Sequence, residues 1–349
     1  MWAIDNQTPY ATHGAFVRDR DGSEIWLVAV RATYNVSPTG ACSLSATQEP
    51  VALVPQYRGE PCRSSLRCDT DLPRLKPGTD VLINGSAHVP HGRAATKVTV
   101  SLTVGPICKR LVVWGERCWT RGSGGGLIPS SPEPFTTLPI TYERAFGGAA
   151  REGAHGVLAR LSEENPVGVG LDAVEGGPVA NIEYPDSSIH DAASGARPAG
   201  FGALERSWMP RRRLAGTYDD AWERDRRPLE PSDFEDAFFH AAPSDQRVEG
   251  HLQGGEILEL TQMTPDDSLR IVLPRLALGF RTTLGGRQVY HRGLLHTVLL
   301  EPDRGRLVMV WHTSLPCHHA LYTLDRTLVY EKEFFPRRAT FDGAIGGRP

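Results

Sequence analysis

The chain has 349 residues, 38 basic and 41 acidic side chains, and a formal net charge of −3. So balanced a charge argues against a dedicated nucleic-acid binder, which carries a basic excess. Glycine (36) and proline (27) are plentiful, so short elements with frequent turns are expected and a helical bundle or coiled coil is disfavoured.

The first 14 residues, MWAIDNQTPYATHG, have no basic n-region and no apolar h-region. No run approaches the roughly 18 apolar residues of a spanning helix. A cytoplasmic protein with no membrane partner is therefore expected. The six cysteines (42, 62, 68, 108, 118 and 317) show no CxxC spacing, and read as reduced packing thiols.

From 1 to 120 the pattern is strand-like. EIWLVAVRATYNV (24–36) is rich in β-branched and aromatic residues between an Asp-Gly turn and a Pro-Thr-Gly turn. Residues 81–89 (VLINGSAHV) form a second candidate strand. KVTVSLTV (97–104) alternates with period two and turns at Gly105-Pro106 into CKRLVVW (108–114), a hairpin with one buried face. From 121 to 250 the periodicity fades, and glycine and proline make up 29 of 130 residues. Short helices are expected around 218–226 and over 232–240 (SDFEDAFFH). In the second, Ser232 is the N-cap and Phe234 and Phe238 share one face. From 251 to 335 strands return: 256–263, 269–273, a hairpin of 295–300 and 307–311 around EPDRG, and 322–330. The tail, 336–349, is expected to fray. The summed expectation is a mainly β protein. Two antiparallel, sandwich- or barrel-like β sets are joined by a long Gly/Pro-rich irregular segment with a few short helices. The zones 1–120, 121–250 and 251–335 read either as separate domains or as one continuous fold.

Chemistry is sparse. No GxxxxGK[ST], GxSxG, SxxK or HExxH is present, so no catalytic or cofactor-binding residue is assigned. His312, Cys317, His318 and His319, with His291 and His296 upstream, have the residue types of a zinc site but the wrong spacing. They are read as strand-end histidines, and no metal ligand is assigned. Asp69, Asp71 and Asp80 with His88 and His91 are the best acid–base set, since paired carboxylates can divide acid and base roles. Aspartate next to turns is more often structural. Trp114, Trp119, Trp208, Trp222 and Trp311 sit in apolar surroundings and read as core. The basic run Arg211-Arg212-Arg213 reads as a local salt-bridge network with Asp219, Asp220 and Glu223.

Several stretches together resemble one bacterial family: CDTDLPRLKPGTDVLINGSAHVP (68–90), YERAFGG (142–148), NPVGVG (165–170), NIEYP (181–185), FGALERSWMPRR (201–212), AGTYDDAW (215–222), PSDFEDAFFHAAPSDQ (231–246) and LQGGEILELTQMTP (252–265). It is the domain-of-unknown-function family encoded in type VI secretion clusters, often beside PAAR-tip effector genes. The resemblance spans residues 1 to 315. It implies a non-catalytic effector adaptor or chaperone that binds an effector or its PAAR-like tip in the cytoplasm and helps load it onto the VgrG spike. The matching positions are Lys76, Pro77, Thr79, Asp80, Gly85, Asn165, Pro166, Gly168, Glu183, Gly216, Thr217, Tyr218, Trp222, Asp233 and Phe234, and their expected roles are mainly structural. Val169 departs from the pattern, as does the chain beyond 315. Interface-favoured residue types in the middle segment place partner contact at Trp208, Arg211 and Phe239. The alternatives are a hydrolase or modifying enzyme around Asp69, Asp80, His88 and His91, and a structural part of the injection machine.

Overall fold

The computed structural model describes residues 2–152 and 157–332. The expected fraying tail, 336–349, lies outside them. The chain is mainly β, with several sheets, one short α-helix and a few 3₁₀ turns, and no closed barrel among the described residues.

The largest sheet has seven strands. Its path runs Arg247–Glu249, Gly78–Ile83, Leu294–Glu301, Arg306–Pro316, Glu24–Val36 and Ala11–Arg18, with Cys42–Leu44 paired to Glu24–Val36 off the path. Neighbours are antiparallel except Gly78–Ile83 and Leu294–Glu301, which are parallel. Strands from both ends of the sequence are therefore direct neighbours. Glu24–Val36 is buried without a break from Trp26 to Tyr34, which explains its continuous apolar run: both faces are covered. In the next strands the side chains alternate. Leu82, Leu299, Val308 and Val310 face a small cluster with Leu66, Cys68 and Ala241. Val81, Ile83, Val298, Leu300 and Met309 face the main core, as the period of two requires.

A five-stranded antiparallel sheet orders Ile182–Glu183, Ile107–Trp114, Lys97–Val104, Ile257–Thr261 and Ser268–Val272. The alternating hairpin expected at 97–114 is present, with Ile107 opposite Val104, and its buried side chains join the main core. A four-stranded sheet orders Ala3–Asn6, Leu324–Glu331, Leu278–Leu284 and Arg287–Arg292. It is tied to the seven-stranded sheet by a hydrogen bond from Trp26 Nε1 to Thr327 Oγ1 (2.9 Å).

Three local expectations change. Residues 81–89 do not form one strand: the chain breaks after Ile83 and resumes at Ser86–His88. The helix near 218–226 is Asp220–Asp225, capped by Asp219, whose carboxylate accepts from the Trp222 N–H (2.8 Å). The helix expected over 232–240 is only a 3₁₀ turn, Asp236–Phe239, and Ser232 does not cap it. Side-chain demand explains this. Asp233 is held by the Thr217 N–H and hydroxyl, and Asp236 by Arg74. Phe234, Phe238 and Phe239 all pack on one another at 5.4–5.9 Å, which one helical face cannot arrange.

No helix of the described residues is long and apolar enough to cross a membrane.

Candidate binding cleft above a buried ionic spine

The stretch 66–86 places most of its charged side chains inside the protein. Asp80 is fully buried at the start of its pairing with Thr297. One carboxylate oxygen accepts from Lys76 Nζ (2.9 Å) and the Ala241 N–H (2.8 Å), the other from His240 Nδ1 (2.6 Å). Lys76 also donates to Thr297 Oγ1 (3.0 Å). Burial by itself would raise the Asp80 carboxyl. The Lys76 ammonium and His240 outweigh it and hold the group well below the usual carboxylate range. Asp71 accepts from Arg31 Nη1 and the Ala52 N–H, both at 2.8 Å. Asp69 pairs with Arg211 and, at 3.2 Å, with Arg206. Burial raises the Asp69 carboxyl, and the two guanidiniums bring it below its ordinary value.

The spine continues outward. Arg31 donates to Glu49 (2.7 Å), which also meets Arg67 and Arg306. Arg67 lies bidentate on Glu301 at 2.8 and 2.9 Å, the geometry that best fixes a planar guanidinium. Glu301 and Arg67 then line an open cleft of about 370 Å³, together with Tyr57, Asn84, Asp303 and Arg304. Arg58, Gly85 and Ser86 complete this wall. Pro302 packs so closely on Gly85 that a β-carbon there would lie 2.6 Å from its ring, so only glycine lets the Glu301–Gly305 turn approach. Ser86 Oγ donates to Asp303 (2.8 Å), and His88 Nε2 lies 3.3 Å from the same carboxylate.

The acid–base set is not assembled. Asp69, Asp71 and Asp80 are each engaged inside the protein, His88 is on the cleft side with Asp303, and His91 is exposed, 3.8 Å from Asp267. A void of about 10 Å³ beside Asp69, Asp71 and Lys76 has room for roughly one water. The histidine set also disperses. His296 and His312 are buried and stacked at 4.8 Å, with His251 stacked on His296 at 5.1 Å. His291 bonds Thr282 and Thr313. Cys317 is buried, and His318 and His319 are exposed. Among the described residues no three His, Cys, Asp or Glu side chains are grouped to hold a metal ion.

The contact face read at Trp208 and Arg211 is closed. Trp208 is 4% exposed, edge-on to Tyr142 at 5.5 Å, and Arg211 is 0% exposed. Arg211 donates to Asp69 and to the carbonyls of Leu204 and Phe238. Phe239 is half-buried under the Arg74 guanidinium. The Arg211–Arg213 run does not pair locally either: Arg211 reaches Asp69 and Arg212 reaches Glu163. Of the tryptophans, Trp119 and Trp311 are buried, while Trp114 and Trp222 are half-buried.

Most other motif positions hold the fold. Thr79 Oγ1 donates to the Leu295 carbonyl and accepts from the Leu252 N–H. Asn165 Nδ2 donates to the carbonyls of Tyr142 and Phe146, and a β-carbon on Gly168 would strike it at 2.3 Å. Glu183 accepts from Arg117 (2.6 Å) and Trp114 (3.1 Å). Gly216, at φ +82°, seats Asp233 beside Thr217. Tyr218 packs edge-on to Trp222 at 4.7 Å, and Phe234 is buried. Pro77 is exposed and Pro166 half-buried.

Sequence reasoning missed Arg58, Arg67, Glu301, Asp303 and Arg304. EPDRG was legible as a turn, but its partners lie more than 200 residues away. A family of bacterial conserved proteins described as uncharacterized, DUF2169, matches residues 21–312. The chain belongs to this family. No curated protein and no solved structure matches it. The match takes in Arg58, Asn84, Glu301 and Arg304, so the whole cleft lies within the family's span.

Proposed function

We propose that this DUF2169 protein is a non-catalytic adaptor or chaperone. It binds a type VI secretion effector or its PAAR-like tip in the cytoplasm and helps load it onto the VgrG spike. The resemblance of its motif stretches to that secretion-associated family supplies the cargo. The observation that carries the binding role is the cleft beside Arg58 and Arg304. It is open, its walls come from the motif stretch NGS and the EPDRG turn, and it is fixed from beneath by Arg67 on Glu301. A recess held rigid before a partner arrives loses little entropy on binding.

The test is co-expression of this chain with each product of its flanking genes, followed by affinity capture and size-exclusion chromatography. A stoichiometric complex with a PAAR-like or toxin-bearing protein is expected. Failure of a folded sample to hold any neighbouring product would withdraw the proposal.

A further inference from the structure

Among the charged groups around the cleft, two guanidiniums stand apart. Arg67 is consumed by Glu301, Glu49 and Gln56. Arg58 instead donates to the neutral amide of Asn84 (2.7 Å). Asn84 is itself buried and turned by its bond to the Arg67 carbonyl (2.9 Å). Glu143 and Glu301 act on Arg58 through space rather than by a hydrogen bond. Arg304 extends into solvent, and its closest carboxylate oxygen, on Glu301, is 4.0 Å away, beyond hydrogen-bonding distance. Arg58 is an exposed residue; desolvation where its guanidinium meets the wall, with Arg304 and Arg67 nearby, holds that group below its ordinary range despite those carboxylates. An incoming carboxylate would relieve that crowding. The acceptors already in the wall are occupied: Glu301 by Arg67 and Arg306, Asp303 by Ser86 and His88.

We propose that the cleft recognises an acidic polypeptide segment of the adaptor's partner, with Arg58 and Arg304 gripping its carboxylates. This rests on the adaptor reading. Three features favour a peptide over a free oxyanion. The volume, about 370 Å³, is on the scale of sites for ligands of several hundred daltons. Asp303, 39% exposed on its side chain and already engaged by Ser86 and His88, repels a compact dianion more than carboxylates spaced along an extended chain. The Tyr57 ring and Pro139 add apolar contact along the wall.

The test titrates the full chain with hexaglutamate, acetylated and amidated at its ends, by calorimetry. Inorganic phosphate is a second titrant. Saturable hexaglutamate binding is expected, about tenfold weaker in Arg58→Glu and in Arg304→Glu and unchanged in Arg287→Glu. The last is an equal charge change at an exposed position on a strand of the four-stranded sheet, outside the cleft lining. Melting curves establish that each variant is folded. Absence of binding to the folded wild type, equal weakening by Arg287→Glu, or phosphate binding as tightly as the peptide each overturns the proposal. The two proposals fail separately. A partner complex that survives both cleft variants removes the acidic-segment assignment and leaves the adaptor. Hexaglutamate binding with no partner complex does the reverse.

Discussion

Asp80 carries more of the structure than any single position in the motif stretch. It joins Lys76, His240 and the Ala241 N–H inside a sheet junction. Removing one member of such a buried set strands the others, at a cost of about 3–5 kcal/mol. Asp80→Ala should lower the unfolding free energy from urea curves by that amount, and a change below about 1 kcal/mol, roughly a surface effect, would contradict the placement. Arg211→Ala should behave likewise, because it leaves Asp69 buried with Arg206 alone on the rim. Any partner loss in that variant would then track unfolding in denaturant curves. Gly78 is constrained by space: a β-carbon would sit 2.0 Å from the Val248 carbonyl. Gly78→Ala should part Arg247–Glu249 from Gly78–Ile83, seen as faster amide exchange at Thr79 and Val248. At this scale aspartates beside turns were legible as structural. Their partners were not, because Asp80 meets His240 across 160 positions.

Among elements, the adjacent strands Leu294–Glu301 and Arg306–Pro316 make the protein sensitive to acid. They bring His296 and His312 into a stack, with buried nitrogens, His296 Nδ1 and His312 Nε2, that have no partner. Burial, helped by Lys76, pushes His312 down from 6.5 to about 3, and burial pushes His291 to about 4. His296 moves the same way. The unfolded chain therefore binds more protons than the folded one below pH 6.5, and stability falls as pH drops from there toward 3–4. Each pH unit costs up to about 1.4 kcal/mol per buried imidazole. Urea midpoints should decline steadily between about pH 6.5 and pH 4, and His312→Leu should flatten that slope. A midpoint independent of pH would show these imidazoles to be exposed. Element positions were largely readable: Glu24–Val36 and Lys97–Val104 were expected with those bounds. Leu278–Leu284 and Arg287–Arg292 were missed, because the first is largely buried yet carries glycine, arginine and threonines, the second is largely polar, and neither gives a clear alternation.

At the scale of the whole molecule, the seven-stranded sheet sets Gly78–Ile83 against Leu294–Glu301, and Glu24–Val36 against Arg306–Pro316. Each chain half leaves open sheet edges without the other. The full chain should melt in one transition with matching calorimetric and van't Hoff enthalpies, and a fragment ending at residue 250 should not give a cooperative melt. Two separate transitions would mean the sheets fold independently. The cleft belongs to this scale too, since its walls come from residues 57–58, 84–86, 139 and 301–304. By itself the sequence determined the mainly β class, the main hairpins, the Gly/Pro-rich middle and membership of an uncharacterized bacterial family. Those follow from local periodicity, turn chemistry and motif order, which neighbouring residues carry. Tertiary structure alone decided which strands pair, that Trp208 and Arg211 lie inside, and that Arg58 and Arg304 flank one recess. Those outcomes depend on contacts between distant residues, where burial and charge pairing choose among partners that look equivalent along the chain.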